Sequence, residues 1–162
     1  MNEPSLLRMS YKSVAVGPLD LPAVCSIVEE AARNNARLDI SGGLVFRNAQ
    51  FLQVLEGPPA AVRAVYERIA EDRRHRAMVR LSSDRAVNRL FTGTWMGLAD
   101  GEAIPTAFCL RFGFEDFAEL DTVIAGQAIG FVRDAIAEFR LDIDTASRPR
   151  VLQPVNGRLM LV

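Results

Sequence analysis

One amide side chain stands in the middle of an apolar segment, residues 51–57, whose sequence is FLQVLEG. The segment is typical of a buried strand, and because side chains alternate along a strand, Gln53 shares a face with Phe51 and Leu55. An amide withdrawn from water costs about 1–3 kcal/mol unless its donors and acceptors find partners. We therefore expect a polar partner against this face, supplied by protein, water or a ligand.

A phenol and two further amides are predicted to lie on the same side of the sheet. Tyr11 ends an alternating segment from Leu6 that predicts a first strand, and it continues the core-facing row of that strand. Asn35 follows Leu21 by fourteen residues, close to four helical turns, so it returns to the buried stripe of a first helix, next to Asn34.

Each of these residues also has an ordinary structural interpretation. Asn35 could be the C-cap of its helix, Gln53 a satisfied core amide, and Tyr11 an amphipathic core residue. Taken together, they form a polar group with no catalytic nucleophile or acid–base pair beside it. Such a group either satisfies its own hydrogen bonds or binds the edge of a planar, polar heterocycle.

The composition excludes several classes of protein. The chain has 162 residues, 49% of them hydrophobic and 24% charged, which suits one globular domain with a core. Its net charge of −1 gives no electrostatic footprint for nucleic acid or an anionic membrane. No signal peptide or apolar run of about 20 residues is present, so we expect a cytoplasmic protein. Cys25, Cys109 and the single histidine, His75, lack metal-ligand spacing, so no zinc site is expected.

The predicted elements place these residues in an α+β fold. Their order is strand, helix, strand, strand, helix, strand, strand, which indicates a ferredoxin-like sandwich with a five-stranded mixed sheet and two helices on one face. After the first strand, the predicted bounds are Asp20 to about Asn35, Leu38 to Phe46, the strand of Gln53, Ala60 to Glu71, Ala77 to Ser82, and Phe91 to Leu98.

The character of the chain changes after Asp100. A turn-rich connector leads into a mostly helical stretch, residues 114–140, which we expect to break near Gly126 to Gly130 into two shorter helices. Its apolar side suits a cap over the bare face of the sheet. We thus divide the chain into a domain of residues 1–100 and a helical extension of residues 101–162.

Several separated motifs, in order and at a common spacing, resemble the BLUF family of flavin-binding blue-light sensors. The resemblance covers roughly residues 5–100. The motifs are Tyr11 in MSYKS, Asn35 in NNARLDISG, Gln53 in FLQVLEG, the run DRRH from Asp72 to His75, and Trp95-Met96 after Phe91.

The resemblance implies a ferredoxin-like fold that holds a flavin, FAD with FMN or riboflavin as alternatives, between its two helices. The C-terminal helices would then cover the other face of the sheet. It also implies a set of cofactor-binding residues: Tyr11, Asn34, Asn35, Gln53, Arg68, Asp72, Arg74, His75 and Met96. Of these, Tyr11, Gln53 and Met96 would be photoactive. From the residues alone, Arg68 and Asp72 are four apart on a helix and could simply form a surface ion pair.

The resemblance further implies a mechanism. Blue light would excite the oxidised flavin, Tyr11 would transfer an electron and a proton through Gln53, and recombination would leave Gln53 rotated or tautomerised. The altered hydrogen bond at the flavin O4 would shift absorption to the red without net redox turnover, so the protein is expected not to be an enzyme. Strand alternation puts Met96 toward the flavin and Trp95 beneath the C-terminal helices.

No output domain follows the motifs, so we expect the signal to reach a separate output protein or a homo-oligomer through residues 114–140. Two rival hypotheses remain open. One is a small hydrolase of the acylphosphatase type, in which Arg33, Asn35 and Arg37 hold a phosphate, although no glycine-rich phosphate loop is present. The other is an interaction module without flavin.

Overall fold

The computed structural model describes residues 5–121, 124–143, 150–155 and 158–161, the last two ranges by their backbone alone. The helices and strands follow one another in the predicted order as far as the fifth strand. They are β1 (Leu6–Ala15), α1 (Leu21–Arg37), β2 (Ser41–Arg47), β3 (Gln50–Gly57), α2 (Pro59–Glu71), β4 (His75–Ala86), β5 (Gly97–Asp100), α3 (Thr106–Leu110), α4 (Ala125–Phe139), β6 (Leu141–Asp142), β7 (Arg150–Val155) and β8 (Arg158–Leu161).

The first five strands form one mixed sheet in the order β4-β1-β3-β2-β5. The pairs β1–β3, β1–β4 and β2–β3 are antiparallel, whereas β2 and β5 are parallel. The ferredoxin-like prediction is therefore confirmed. A second sheet, in the order β6-β7-β8, follows α4 and was not predicted from the sequence.

Two apolar cores lie on opposite faces of the sheet, as the alternation of side chains predicts. The front core joins Tyr11 and Leu55 to buried residues of α1 and α2, such as Val24 and Val62. The back core joins the alternate strand positions to α3, α4 and the 3₁₀ turn Phe117–Glu119. Its main members are Val45, Leu52, Val54, Phe91, Phe108, Phe114, Phe117, Phe131, Val132 and Ile136.

The glycine pair in β2 permits a close approach to the backbone. A Cβ atom at Gly43 would lie 2.8 Å from the side chain of Ile136 and 2.9 Å from that of Val132, both in α4. Real Cβ atoms do not approach other atoms so closely, so this part of the back core depends on the bare backbone. At the neighbouring Gly42, a Cβ would meet the carbonyl oxygen of Val54.

The helix boundaries correct two predictions. Asp20 is the N-cap of α1, with its side chain accepting from the Ala23 N–H at 2.9 Å, but the helix continues to Arg37. Asn35 is thus inside the helix and is not its C-cap. The predicted break near Gly126 to Gly130 is also wrong, because α4 runs continuously through both glycines. A glycine weakens a helix by only about 1 kcal/mol, which packing overrides.

The fifth strand is shorter than predicted. Residues 91–96 are irregular, and β5 begins at Gly97. Side chains from distant positions bind backbone groups in this segment: Glu56 accepts from the Phe91 N–H, and Asn35 donates to the Trp95 carbonyl. These bonds replace strand pairing.

Among the described residues, no helix is long and apolar enough to span a bilayer, and the cytoplasmic location stays a prediction.

Candidate flavin-binding site

A cavity of about 230 Å³ opens between α1, α2 and the front of the sheet. All nine side chains that the resemblance singled out line this cavity, so distant parts of the sequence converge there. Ten further residues line it that were not among the predicted site residues. These are Ser13, Ile27, Val28, Glu30, Ala31, Leu44, Phe51, Leu55, Val65 and Ile69.

Several of these residues carried a signal in the sequence. Phe51 and Leu55 were predicted to share the face of Gln53, and periodicity indicates two more. Ser13 follows Tyr11 by two positions on β1, so alternation places both on the front face, and Ser13 is buried. Ile27 lies seven residues before Asn34 on α1, or about two turns, which places both on one side of the helix.

A hydrogen-bonded chain of three side chains crosses the floor of the cavity. Tyr11 and Gln53 face each other across β1 and β3, and the Tyr11 hydroxyl donates to the Gln53 Oε1. The Gln53 Nε2 in turn donates to the Met96 Sδ at 3.6 Å. Tyr11 is 1% exposed and Gln53 8% exposed. This is the polar partner that the buried amide required.

The amide of Gln53 keeps unused hydrogen-bonding capacity. A carboxamide has two N–H donors and two acceptor lone pairs, and within the described part of the chain Gln53 uses one donor and one lone pair. A thioether sulfur is moreover a weak acceptor. A ligand in the cavity could therefore bind Gln53 without displacing Tyr11.

Tyr11 is held as a neutral phenol. Burial raises its pKa well above the usual 10.0, and the nearby Tyr66 raises it further. The two rings pack edge to face, with centroids 5.3 Å apart and planes at 75°. The Tyr11 proton therefore stays on the hydroxyl at physiological pH, where it can be donated to Gln53.

Asn35 and Asn34 differ in burial. Asn35 is 2% exposed, and its Nδ2 donates to the Trp95 carbonyl at 3.0 Å, which ties α1 to the segment before β5. Its Oδ1 has no hydrogen-bond partner among the residues described here. Asn34 is exposed and lies at the edge of the cavity. An amide oxygen at the wall of a cavity is suited to accept from a ligand N–H.

Charged side chains lie at the mouth of the cavity. The Asp72 carboxylate accepts from Arg74 through the backbone N–H at 2.9 Å and the Nε at 3.0 Å. The Arg74 hydrogen bond lowers the pKa of Asp72, and Asp72 raises the pKa of Arg74. Arg74 also lies 3.8 Å from the Glu30 carboxylate of α1.

The surface pair between Arg68 and Asp72, which their spacing left open as an alternative, is not formed. Asp72 is the C-cap of α2, with an extended backbone, so it has left the helical spacing that would bring it to Arg68. Arg68 lines the cavity, is exposed, and forms no hydrogen bond or ion pair with the described residues. It is therefore a cation available to an anionic group at the mouth.

His75 also lines the cavity, at the start of β4. Its Nδ1 is 2.9 Å from the Ser13 Oγ, and its ring packs at 69° against Phe51. Burial lowers its pKa, and the Asp72 carboxylate opposes this in part. The imidazole is thus largely neutral at pH 7, and we treat it as a hydrogen-bonding group and not as a cation.

The structure supports one part of the prediction for Met96 and Trp95 and overturns the other. Met96 is 5% exposed and faces the cavity, but Trp95 is 44% exposed and does not pack beneath the C-terminal helices. The alternation argument failed because these residues are not in a strand.

The residues present fit a flavin. Apolar side chains from two helices, among them Ile27 and Ile69, suit the faces of an aromatic ring system, and the amides on the floor suit its polar edge. Arg68 suits a phosphate. By contrast, Arg33 and Arg37, which the hydrolase hypothesis required, do not line the cavity.

Comparison with known proteins agrees with this fit. The chain is 27% identical over 163 residues to photoactivated adenylate cyclase subunit beta of Euglena longa, covering 97% of this chain and 18% of that protein. It is 39% identical over 95 residues to the blue light- and temperature-regulated antirepressor BluF of Escherichia coli, covering 59% of this chain and 24% of that protein. The chain thus spans less than a quarter of these relatives.

The structure of BlsA in its ground state has the same fold, with a TM-score of 0.74 at 23% identity, over 87% of this chain and 94% of that one. The family model described as "Sensors of blue-light using FAD" matches residues 6–97, more than half of the chain. These matches favour a flavin-based sensor over a small hydrolase, as predicted. The chain belongs to the BLUF family, the blue-light sensors that use FAD.

Proposed function

We propose that Tyr11 and Gln53 are the light-responsive pair of this sensor, with Met96 as the third member of the switch. One observation carries the proposal: a buried amide lies at the floor of the cavity, is held by a phenol on one side and a thioether on the other, and keeps spare hydrogen-bonding capacity. Such an amide can satisfy its groups in two arrangements of similar free energy.

The two arrangements differ in which end of the Gln53 amide meets Tyr11. In the first, the Tyr11 hydroxyl donates to the Gln53 Oε1, and the Nε2 donates to Met96. In the second, the amide is turned, so that the Nε2 donates to the Tyr11 oxygen and the Oε1 faces a donor of the ligand, since the Met96 thioether has no proton to donate. Because the number of hydrogen bonds is nearly the same in both, a small input of energy can exchange them.

The cavity walls would hold the flavin. Asn35 and Asn34 would bind the ring edge, and Arg68 would bind the phosphate of FAD or FMN. Arg74, Asp72 and His75 would border the ribityl chain and the phosphate. When bound, the oxidised flavin supplies absorption of blue light and an acceptor for an electron and a proton. Tyr11 would supply both, and its raised pKa supports this, because the hydroxyl keeps its proton until it is needed.

The signal would leave through the back of the sheet. Lys12 follows Tyr11 on β1 and points to the other face, where its Nζ donates to the carbonyl oxygens of Phe117 at 3.2 Å, Ala118 at 3.1 Å and Leu120 at 2.5 Å. A displacement of β1 would therefore pull directly on the 3₁₀ turn before α4. This supports the division into a flavin-binding domain, residues 1–100, and an output extension, residues 101–162.

We propose a homo-oligomer or a separate protein as the recipient of this signal. The support comes from the relatives: one is an antirepressor regulated by blue light, and the others are photoactivated adenylate cyclase subunits. Each of these relatives is named for an activity or a regulatory role that responds to light.

The photoreaction is tested by absorption spectra of the flavin-loaded protein before and after blue illumination. We expect a reversible red shift in the wild-type chain and none in Gln53→Leu, which still binds flavin. Gln50→Leu is the matched control: Gln50 is on the same strand but on the back face, where it bonds Asp116 at 2.9 Å. A shift that persists in Gln53→Leu, or that is absent from the wild type, would contradict the proposal.

A further inference from the structure

A fully buried carboxylate, Glu56, lies on β3 three residues after Gln53 and on the opposite face of the sheet. It is 0% exposed. Arg8 of β1 faces it across one pair of strands and Ser41 of β2 across the other. A buried charge destabilises a protein unless it is paired and fully hydrogen-bonded. The donors around Glu56 therefore show which parts of the chain it binds.

Each oxygen of Glu56 accepts two hydrogen bonds. The Oε1 accepts from the Ser41 Oγ at 3.3 Å and from the Phe91 N–H at 2.6 Å. The Oε2 accepts from the Arg8 Nε at 3.0 Å and from the Leu90 N–H at 3.1 Å. Two of the four donors are backbone groups of one segment. Glu56 therefore fixes residues 90–91, which form no strand, to the sheet.

Neighbouring arginines reinforce this attachment. Arg8 donates to the Asn88 carbonyl at 2.7 Å. Arg89 donates to the Ser41 Oγ at 2.8 Å and pairs with the Asp39 carboxylate at 2.9 Å. Residues 87–96 connect β4 to β5. The first half of this connector is thus anchored around Glu56.

The other end of the connector reaches the cavity. The Trp95 carbonyl accepts from Asn35, and the Met96 Sδ accepts from Gln53. Between the two ends lies Gly93, with a φ of 75° and no atom within 4 Å of the position of a Cβ. A short stretch that turns at Gly93 therefore joins the Glu56 anchor to the sulfur that contacts the switching amide.

We propose that Glu56 is a positioning residue for the photoreaction: by anchoring the connector, it keeps the Met96 sulfur against the Gln53 amide. This inference rests on the proposed function of Gln53. The amide must break and remake its bond to the sulfur as it turns. A firmly held Met96 therefore slows the return to the dark state, and a loosened one lets it proceed faster.

The test uses the flavin-loaded full chain and the rate of dark recovery after blue illumination. Glu56→Gln replaces two acceptor oxygens by one, so at least one backbone N–H loses its partner. We expect this variant to keep the red shift and to recover about threefold faster or more, the scale of coupling between contacting groups. Met96→Ala should accelerate recovery in the wild type but add little to Glu56→Gln, because the sulfur is already released.

Two controls keep the test specific. Val62→Ala loosens the front core at a buried position outside the cavity, so it separates general destabilisation from positioning. Arg89→Gln weakens the anchor while leaving the carboxylate in place. If Glu56→Gln does not fold, Arg89→Gln should show a smaller acceleration with the same lack of additivity with Met96→Ala.

The inference is overturned if the anchor variants recover no faster than Val62→Ala, or if Met96→Ala multiplies the recovery rate equally in both backgrounds. These outcomes differ from a failure of the proposed function. If Gln53→Leu keeps the red shift, the switching amide itself is wrong. If Gln53→Leu loses the shift and the anchor variants behave independently of Met96, only the role of Glu56 is refuted.

Discussion

Replacing Tyr11 with phenylalanine removes one oxygen atom from the centre of the proposed switch. The ring keeps its packing against Tyr66, but the Gln53 Oε1 loses its only donor among the described residues. A buried acceptor without a donor costs about 1–3 kcal/mol, offset in part because the hydroxyl no longer has to be buried. We therefore expect the free energy of unfolding of the flavin-free protein to fall by about 1 kcal/mol, measured by urea denaturation.

The same substitution should change the pH dependence of stability. In the unfolded chain Tyr11 titrates near its usual pKa of 10.0, whereas in the folded protein its pKa is well above this value. Above pH 10.0 the unfolded chain releases a proton that the folded protein keeps. The free energy of unfolding therefore falls as the pH rises, by up to about 1.4 kcal/mol per pH unit. Tyr11→Phe should lack this contribution, and Tyr66→Phe, with the Tyr11 hydroxyl in place, should retain it.

Light completes the assay. Loaded with flavin, Tyr11→Phe should show the yellow absorption of the wild type and no red shift on illumination. A normal light response would remove Tyr11 from the mechanism. An unchanged free energy of unfolding, together with an alkaline decline as steep as in the wild type, would show that the hydroxyl is not buried against Gln53.

Three further substitutions test other parts of the structure. Lys12→Met removes the ammonium that binds three carbonyl groups, so urea denaturation should show a loss of about 1–3 kcal/mol with the red shift intact; unchanged stability would refute this link. Arg68→Ala should weaken FMN binding about tenfold in fluorescence titrations but leave riboflavin binding unchanged, and an equal loss for both would exclude phosphate recognition. Trp95→Phe should keep the red shift and change stability by no more than about 0.5 kcal/mol, because Trp95 is 44% exposed and phenylalanine keeps an aromatic ring there; a greater loss would place it in the core.

Local periodicity determined much of the fold and placed several site residues. The two-residue period of β1 and β3 put Tyr11 and Gln53 on one face, and the helical period of α1 brought Asn35 to the buried side. Each inference depends only on the backbone geometry of one helix or strand. Residues that are neighbours in the sequence determine that geometry. The roles of these residues toward flavin remain predictions.

Only the tertiary structure decided where the backbone departs from periodicity. Residues 91–96 resembled a strand, but Glu56 and Asn35 bind their backbone groups, so the face of Trp95 could not be predicted from alternation. The partner of Asp72 was likewise set by the end of α2 and not by helical spacing. Hydrogen bonds between residues far apart in sequence leave no periodic trace. The sequence by itself therefore determined the faces of the regular elements, and the assembled chain determined the irregular connector that reaches the site.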